Sequence, residues 1–136
     1  MAATNLVVPQ SAALLDLTVL NTDRATGWHI HLFSNNVTVS DTTTLAMLTE
    51  ASYTGYAAQT LSTWTTPATV GGAASTTAAL VTFPAPSGSS ATIYGYYVTD
   101  GSGNLRWCQN DPNAPFTLNV GVTYPLTPAF TYQSQF

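Results

Sequence analysis

The sequence predicts a mainly β protein: a single-domain β-sandwich or jelly-roll-like barrel of about seven short strands, with one or two short helices. Three observations carry this. Apolar residues recur at period two in several short segments rich in Val, Ile, Tyr and Thr. Clusters of Gly, Pro, Asn and Asp separate those segments at close intervals. The chain has 136 residues, with 45% hydrophobic and 11% aromatic, enough to fill one core.

Residues 1–10 read as an N-terminal arm carrying Leu6, Val7 and Val8, and residues 11–136 as the single domain. Ser11 is a fitting N-cap for a helix over 11–20, with Leu14, Leu15, Thr18 and Val19 on one face. The alternation Leu15, Leu17, Val19 fits a strand as well. Asn21 to Arg24 and Gly27 mark a turn. Trp28, Ile30 and Leu32 then share one strand face, and His29, His31 and Phe33 the other. Asp41 to Thr44 reads as a helix start, with Leu45, Met47 and Leu48 packing one short turn. Strands are expected over Tyr56–Trp64 and Thr76–Phe83. Ala91–Thr99 and Leu105–Gln109 flank Asp100-Gly101-Ser102-Gly103-Asn104 as a hairpin. Phe116 to Tyr124 alternates throughout and reads as one half-buried strand. Leu126, Pro128, Phe130 and Tyr132 make a last strand, placed at an edge because proline cannot donate to a ladder.

Charge is scarce. Only 6% of residues are charged, against about 25% in an average soluble domain. There is no lysine, and Arg24 and Arg106 are the only arginines, for a net charge of −4. Two cations cannot displace the counterions of a nucleic acid, nor hold an anionic membrane surface. No apolar run approaches the roughly 20 residues of a membrane-spanning helix. No basic residue precedes Arg24, so a secretory signal is not expected. Cys108 is the single cysteine and is expected to be a buried, unreactive thiol. A surface with so few charges does little to keep copies apart, which points to life in an assembly.

Residues with chemical potential are few. His29 and His31 lie two apart, a metal-ligand spacing, but a site needs further ligands and nothing in the sequence selects them. Hydrolysis would need a Ser or Thr beside a histidine and an orienting acid. No Gly-x-Ser-x-Gly elbow is present, and Asp23, Asp41, Asp100 and Asp111 sit where turns and caps form. No catalytic, metal or cofactor site is therefore expected. The aromatic residues remain. Trp64, Trp107 and the tyrosines are candidates for stacking on a sugar or anchoring an interface, against the plainer role of core filling. Tyr94 and Tyr96 share one strand face and Tyr97 takes the other, which expects tyrosine outside the core. Gly95 between them suggests a close backbone approach or a bulge.

The order of several motifs resembles a family of small virion structural proteins of tailed bacteriophages. The motifs are Leu32-Phe33-Ser34-Asn35-Asn36, Leu48-Thr49-Glu50-Ala51, Tyr53-Thr54-Gly55-Tyr56-Ala57, Trp64, and Tyr94-Gly95-Tyr96-Tyr97-Val98-Thr99-Asp100 with Leu105 beyond the turn. They cover roughly residues 30–107. Val7-Val8-Pro9 before Leu14-Leu15 resembles the same family's start. The family strand matching Trp28-His29-Ile30-His31 usually carries a basic residue, which this chain replaces.

The resemblance implies a non-enzymatic virion protein made in the host cytoplasm. It is expected to be a capsid decoration or cement protein that stabilises the shell through symmetric protein–protein contacts. The implied partners are the major capsid protein or other virion proteins, and further copies of the chain, a trimer being favoured. Leu6, Val7, Val8, Trp64, Tyr96 and Trp107 are the expected interface residues. The alternative is a tail-fibre, baseplate or knob module that binds the host surface or its glycans.

Overall fold

The computed structural model describes residues 5–6, 26–70 and 73–133. Val7, Val8 and the segment expected to be helix or strand over 11–20 lie outside them. The described chain is mainly β, all of it antiparallel, and forms a β-sandwich. Its strands are shorter and more numerous than the sequence suggests. In chain order they are β1 (Asn5–Leu6), β2 (His29–Phe33), β3 (Gln59–Thr60), β4 (Ala68–Val70), β5 (Ala73–Thr77) and β6 (Val81–Phe83). They continue with β7 (Ala91–Ile93), β8 (Gly95–Thr99), β9 (Leu105–Asn110), β10 (Phe116–Leu118), β11 (Tyr124–Leu126) and β12 (Ala129–Gln133).

One layer is a five-stranded sheet in the order β1-β9-β8-β2-β3. The other comprises the ribbons β10-β7 and β11-β6 and the three-stranded sheet β12-β5-β4. Between them lies the main core. Ile30, Leu32, Tyr96, Val98 and Trp107 come from the large sheet, and Val81, Phe83, Ile93 and Leu118 from the ribbons. The period-two reading of the first strand holds: Ile30 and Leu32 enter this core, while Phe33 enters a second one. That second core lies on the reverse face, where Val39 and Leu48 cover Phe33, Tyr97, Leu105 and Cys108. Hence every residue of β8 is buried, and neither Tyr96 nor Tyr97 reaches the surface, contrary to the parity argument. Two covered faces leave a strand no wet side.

The central hairpin forms as expected. Asp100 accepts the backbone N–H groups of Ser102 and Asn104, and Gly103 takes φ +84°. The Arg106 guanidinium meets the same carboxylate through Nε at 2.9 Å and a terminal nitrogen at 2.7 Å, both side chains buried. Gly95 answers the close-approach reading. A Cβ there would lie 2.2 Å from the Gln109 carbonyl oxygen and 2.7 Å from the ring of Phe33, its cross-strand partner. Cys108 is fully buried, and burial pushes its thiol up to about 11.

Three expected strands are cut short. Tyr56–Trp64 yields only β3, because Thr63 at φ +55° turns the chain away, and Thr65 N–H then bonds the Thr77 carbonyl of the opposite layer. Thr76–Phe83 divides into β5 and β6: the ladder with β12 ends at Ala78, whose N–H bonds the Pro128 carbonyl while proline has no N–H to return. Phe116–Tyr124 breaks after Leu118 in a turn closed by Val122 N–H to the Asn119 carbonyl, which leaves Val120 and Val122 in solvent. The short helix is a single 3-10 turn, Leu45–Met47, opened by Thr44. It buries Leu48 beyond its end but exposes Leu45 and Met47. The last strand begins after Pro128 and takes an edge, as expected.

Candidate functional site

The His-x-His spacing does not make a paired site. The His29 Nδ1 lies 2.8 Å from the Gly27 carbonyl oxygen, a local contact. His31 belongs to a polar cluster over the reverse face of the large sheet. Its ring stacks on Tyr97 with centroids 4.7 Å apart and planes 7° from parallel. Its Nδ1 is 2.7 Å from Glu50 Oε1 and its Nε2 is 3.0 Å from Thr99 Oγ1. Glu50 reaches this point because residues 49–51 run antiparallel to β2, with Ala51 N–H bonded to the Leu32 carbonyl. The Tyr56 hydroxyl donates to the same carboxylate oxygen at 3.0 Å. Burial, reinforced by the Glu50 carboxylate, raises the pKa values of Tyr56 and Tyr97 above the ordinary phenol range.

The order Glu50–His31–Thr99 is that of an acid–base–hydroxyl relay. Sequence reasoning asked for such neighbours but had no means of selecting Glu50 and Thr99, which lie 19 and 68 residues from His31. Thr99, the last residue of β8, is 6% exposed. The cluster also acts as a clamp. It ties β2, β8 and residues 49–51 together, and both ring nitrogens of His31 are engaged in it. Among the described residues, no three His, Cys, Asp or Glu side chains gather as a metal site.

The second constellation is aromatic. The chain has three tryptophans, and all three meet. Trp28 precedes β2, Trp64 lies between β3 and β4, and Trp107 is on β9. Phe130 of β12 joins them, opposite Thr76 of β5. Trp107 is the hub. Its ring centroid lies 5.5 Å from Trp28, 6.0 Å from Trp64 and 4.8 Å from Phe130, with the planes tilted by 48°, 67° and 53°. These four rings and Thr76 line an open cup of about 220 Å³ at the seam between the two layers. Trp107 is its buried floor, 3% exposed, while Trp28, Trp64 and Phe130 are half-buried walls. The Trp107 indole nitrogen is buried, and its polar neighbour is the Tyr96 hydroxyl, too poorly aligned for a regular hydrogen bond. The Thr76 hydroxyl donates to the Thr65 carbonyl at 2.6 Å, and Thr65 Oγ1 accepts the Thr77 N–H.

A second cavity, about 190 Å³, is more polar, and its lining includes Tyr96, Gln109, Asp111, Tyr124 and Thr131. The Tyr96 hydroxyl donates to Gln109 Oε1 at 2.9 Å and the Tyr124 hydroxyl to Asp111 Oδ2 at 2.8 Å. Burial pushes the Tyr96 hydroxyl up to about 12, an effect the neighbouring Trp107 indole partly offsets.

The expected interface residues therefore separate. Trp64 and Trp107 come together, with Trp107 as floor and not as exposed anchor. Tyr96 is 8% exposed and bonded to Gln109, so it offers no surface anchor. Leu6 lies in β1, whose backbone pairs with Trp107 and Cys108 of its own chain. Trp28 and Phe130 were missed as members of the cup. Parity with Ile30 placed Trp28 on the correct face, but no local signal connects that face to Phe130.

Comparison of the chain with protein-family models, with curated proteins and with solved structures finds no match.

Proposed function

We propose that this chain is a non-enzymatic structural protein that works in an assembly with copies of itself and other subunits. The observation that carries this reading is the character of its sheet edges. The terminal strands of the two larger sheets are β1, β3, β4 and β12. None contains a charged residue. Edge strands of free-standing proteins are usually blunted by charge, because bare N–H and C=O groups recruit other chains. Here that charge is absent, and Ala68 and Thr69 of β4 are exposed. The surface also leaves Leu80, Val120 and Val122 in solvent.

The assembly we propose is a bacteriophage virion, and the role is decoration or cementing of the capsid. The motif order over residues 30–107 supports this, as does a composition with no lysine. The mechanism is mechanical. The sandwich sits across joints between capsid subunits, and strand-edge hydrogen bonds with apolar burial resist shell expansion. Symmetric contacts of this kind favour a closed cyclic oligomer, a trimer first.

The deciding experiment is the copy number of the chain in purified particles, measured by quantitative mass spectrometry against the major capsid protein. Comparable numbers support decoration, and a few copies per particle transfer the chain to the tail. Absence from particles, with a monomer in sedimentation, overturns the proposal. Deleting residues 1–8 is expected to leave a folded chain that no longer associates.

A further inference from the structure

We propose that the cup of Trp28, Trp64, Trp107 and Phe130 is a binding site for a neutral carbohydrate, taking one pyranose ring. The inference does not depend on the assembly role. It starts from cost. Aromatic surface left in water forfeits about 25 cal/mol for each Å² unburied. At the seam between the layers the fold accepts this cost, with Trp28, Trp64 and Phe130 left half-buried around Trp107. The arrangement therefore serves the opening above it.

The lining selects the ligand. Among the described residues, the cup is lined by four aromatic faces and one hydroxyl, with no charged side chain. An anion finds no cation there, on a chain of net charge −4. An organic cation would meet ring faces but no carboxylate to pair with. A pyranose has one apolar face of C–H groups that stacks on a ring, and an equatorial belt of hydroxyls. The belt meets Thr76, whose hydroxyl donates to the Thr65 carbonyl, lies 3.3 Å from the Thr65 hydroxyl, and retains one lone pair for a ligand O–H. The volume of about 220 Å³ lies below the roughly 300 Å³ at which sites for drug-sized ligands begin. One sugar ring of a longer glycan suits it.

The three tryptophans all line this cup, so intrinsic tryptophan emission reports its occupancy without a label. The full chain would be screened on a glycan array and then titrated with the methyl glycosides of the sugars retained. Tetramethylammonium and a second copy of the chain, through a protein dilution series, serve as competing occupants. We expect a saturable emission change with at least one neutral glycoside. Trp64→Ala should weaken it about tenfold or more, as loss of a stacking anchor does. Trp64 is half-buried and lies in no strand, and circular dichroism would verify the fold. Thr76→Val is the second variant should Trp64→Ala unfold, and it is expected to weaken binding while preserving the Trp107 environment. Three outcomes overturn the proposal: no glycan retained, binding indifferent to both variants, or emission that responds only to tetramethylammonium or to protein concentration.

Discussion

Gly95 is the residue on which the large sheet depends most directly. Its missing side chain lets the Gln109 carbonyl and the Phe33 ring close over it. Gly95→Ala is expected to cost about 3 kcal/mol, because the atoms in the way are backbone and a buried ring. Gly103 offers the contrast: φ is +84° but nothing lies within 4 Å of an added Cβ. Gly103→Ala should cost only about 1 kcal/mol, the strain of a left-handed alanine. Chemical denaturation of the two variants measures both, and equal losses would refute the packing argument. Asp100 gives the second test at this scale. Burial raises its carboxyl, but hydrogen bonds from Asn104, Arg106 and Ser102 outweigh that and lower it from 3.8 to about 2. A depressed folded pKa stabilises above the unfolded value, and the contribution disappears as pH falls through the folded one. Stability on the order of 1–2 kcal/mol should therefore be lost between about pH 4 and pH 2. Thermal unfolding across that range checks it. Asp100→Asn should flatten the acid limb and lower stability at neutral pH by about 2–4 kcal/mol, since Arg106 loses its buried carboxylate.

Among the elements, the edge strand β4 is where the assembly proposal meets a mutation. Thr69 is exposed there and, among the described residues, pairs with Ala74 of β5. Thr69→Lys should weaken association about tenfold or more, because a charge on an edge strand opposes pairing. Its stability should change by no more than about 0.5 kcal/mol, as is usual at the surface. Sedimentation and thermal unfolding together decide this: unchanged association removes β4 from the contact. The elements also show where local pattern is sufficient. The hairpin of β8 and β9 was legible because Asp100 to Asn104 specify their own turn. Phe116–Tyr124 kept perfect alternation and still broke, because alternation cannot announce the turn that Asn119 and Gly121 make. Thr63 is a sharper case. No residue-level signal marks a threonine for φ +55°, and that angle transfers the chain between layers.

For the whole molecule, the scarcity of charge makes a prediction of its own. Contacts between copies with so few charged groups should respond little to ionic strength, since screening acts only on charges. Association measured by sedimentation should vary less than about threefold between 50 and 500 mM salt. A steep fall would show that the few carboxylates and arginines carry the contact.

Fold class, the burial of Cys108 and the paucity of charged contacts follow from the sequence by itself. They depend on composition, on period-two alternation and on turn residues, all of which act within a few positions along the chain. The two sites do not follow from it. The clamp of Glu50, His31 and Thr99 and the cup of Trp28, Trp64, Trp107 and Phe130 join residues from distant elements. Only sheet order and the crossing between layers bring them together. The same is true of β8, whose tyrosines are buried on both faces because residues 34–50 fold back over the sheet. Parity assigns a residue to a face of its strand, but what covers that face is decided by chain that lies elsewhere in the sequence.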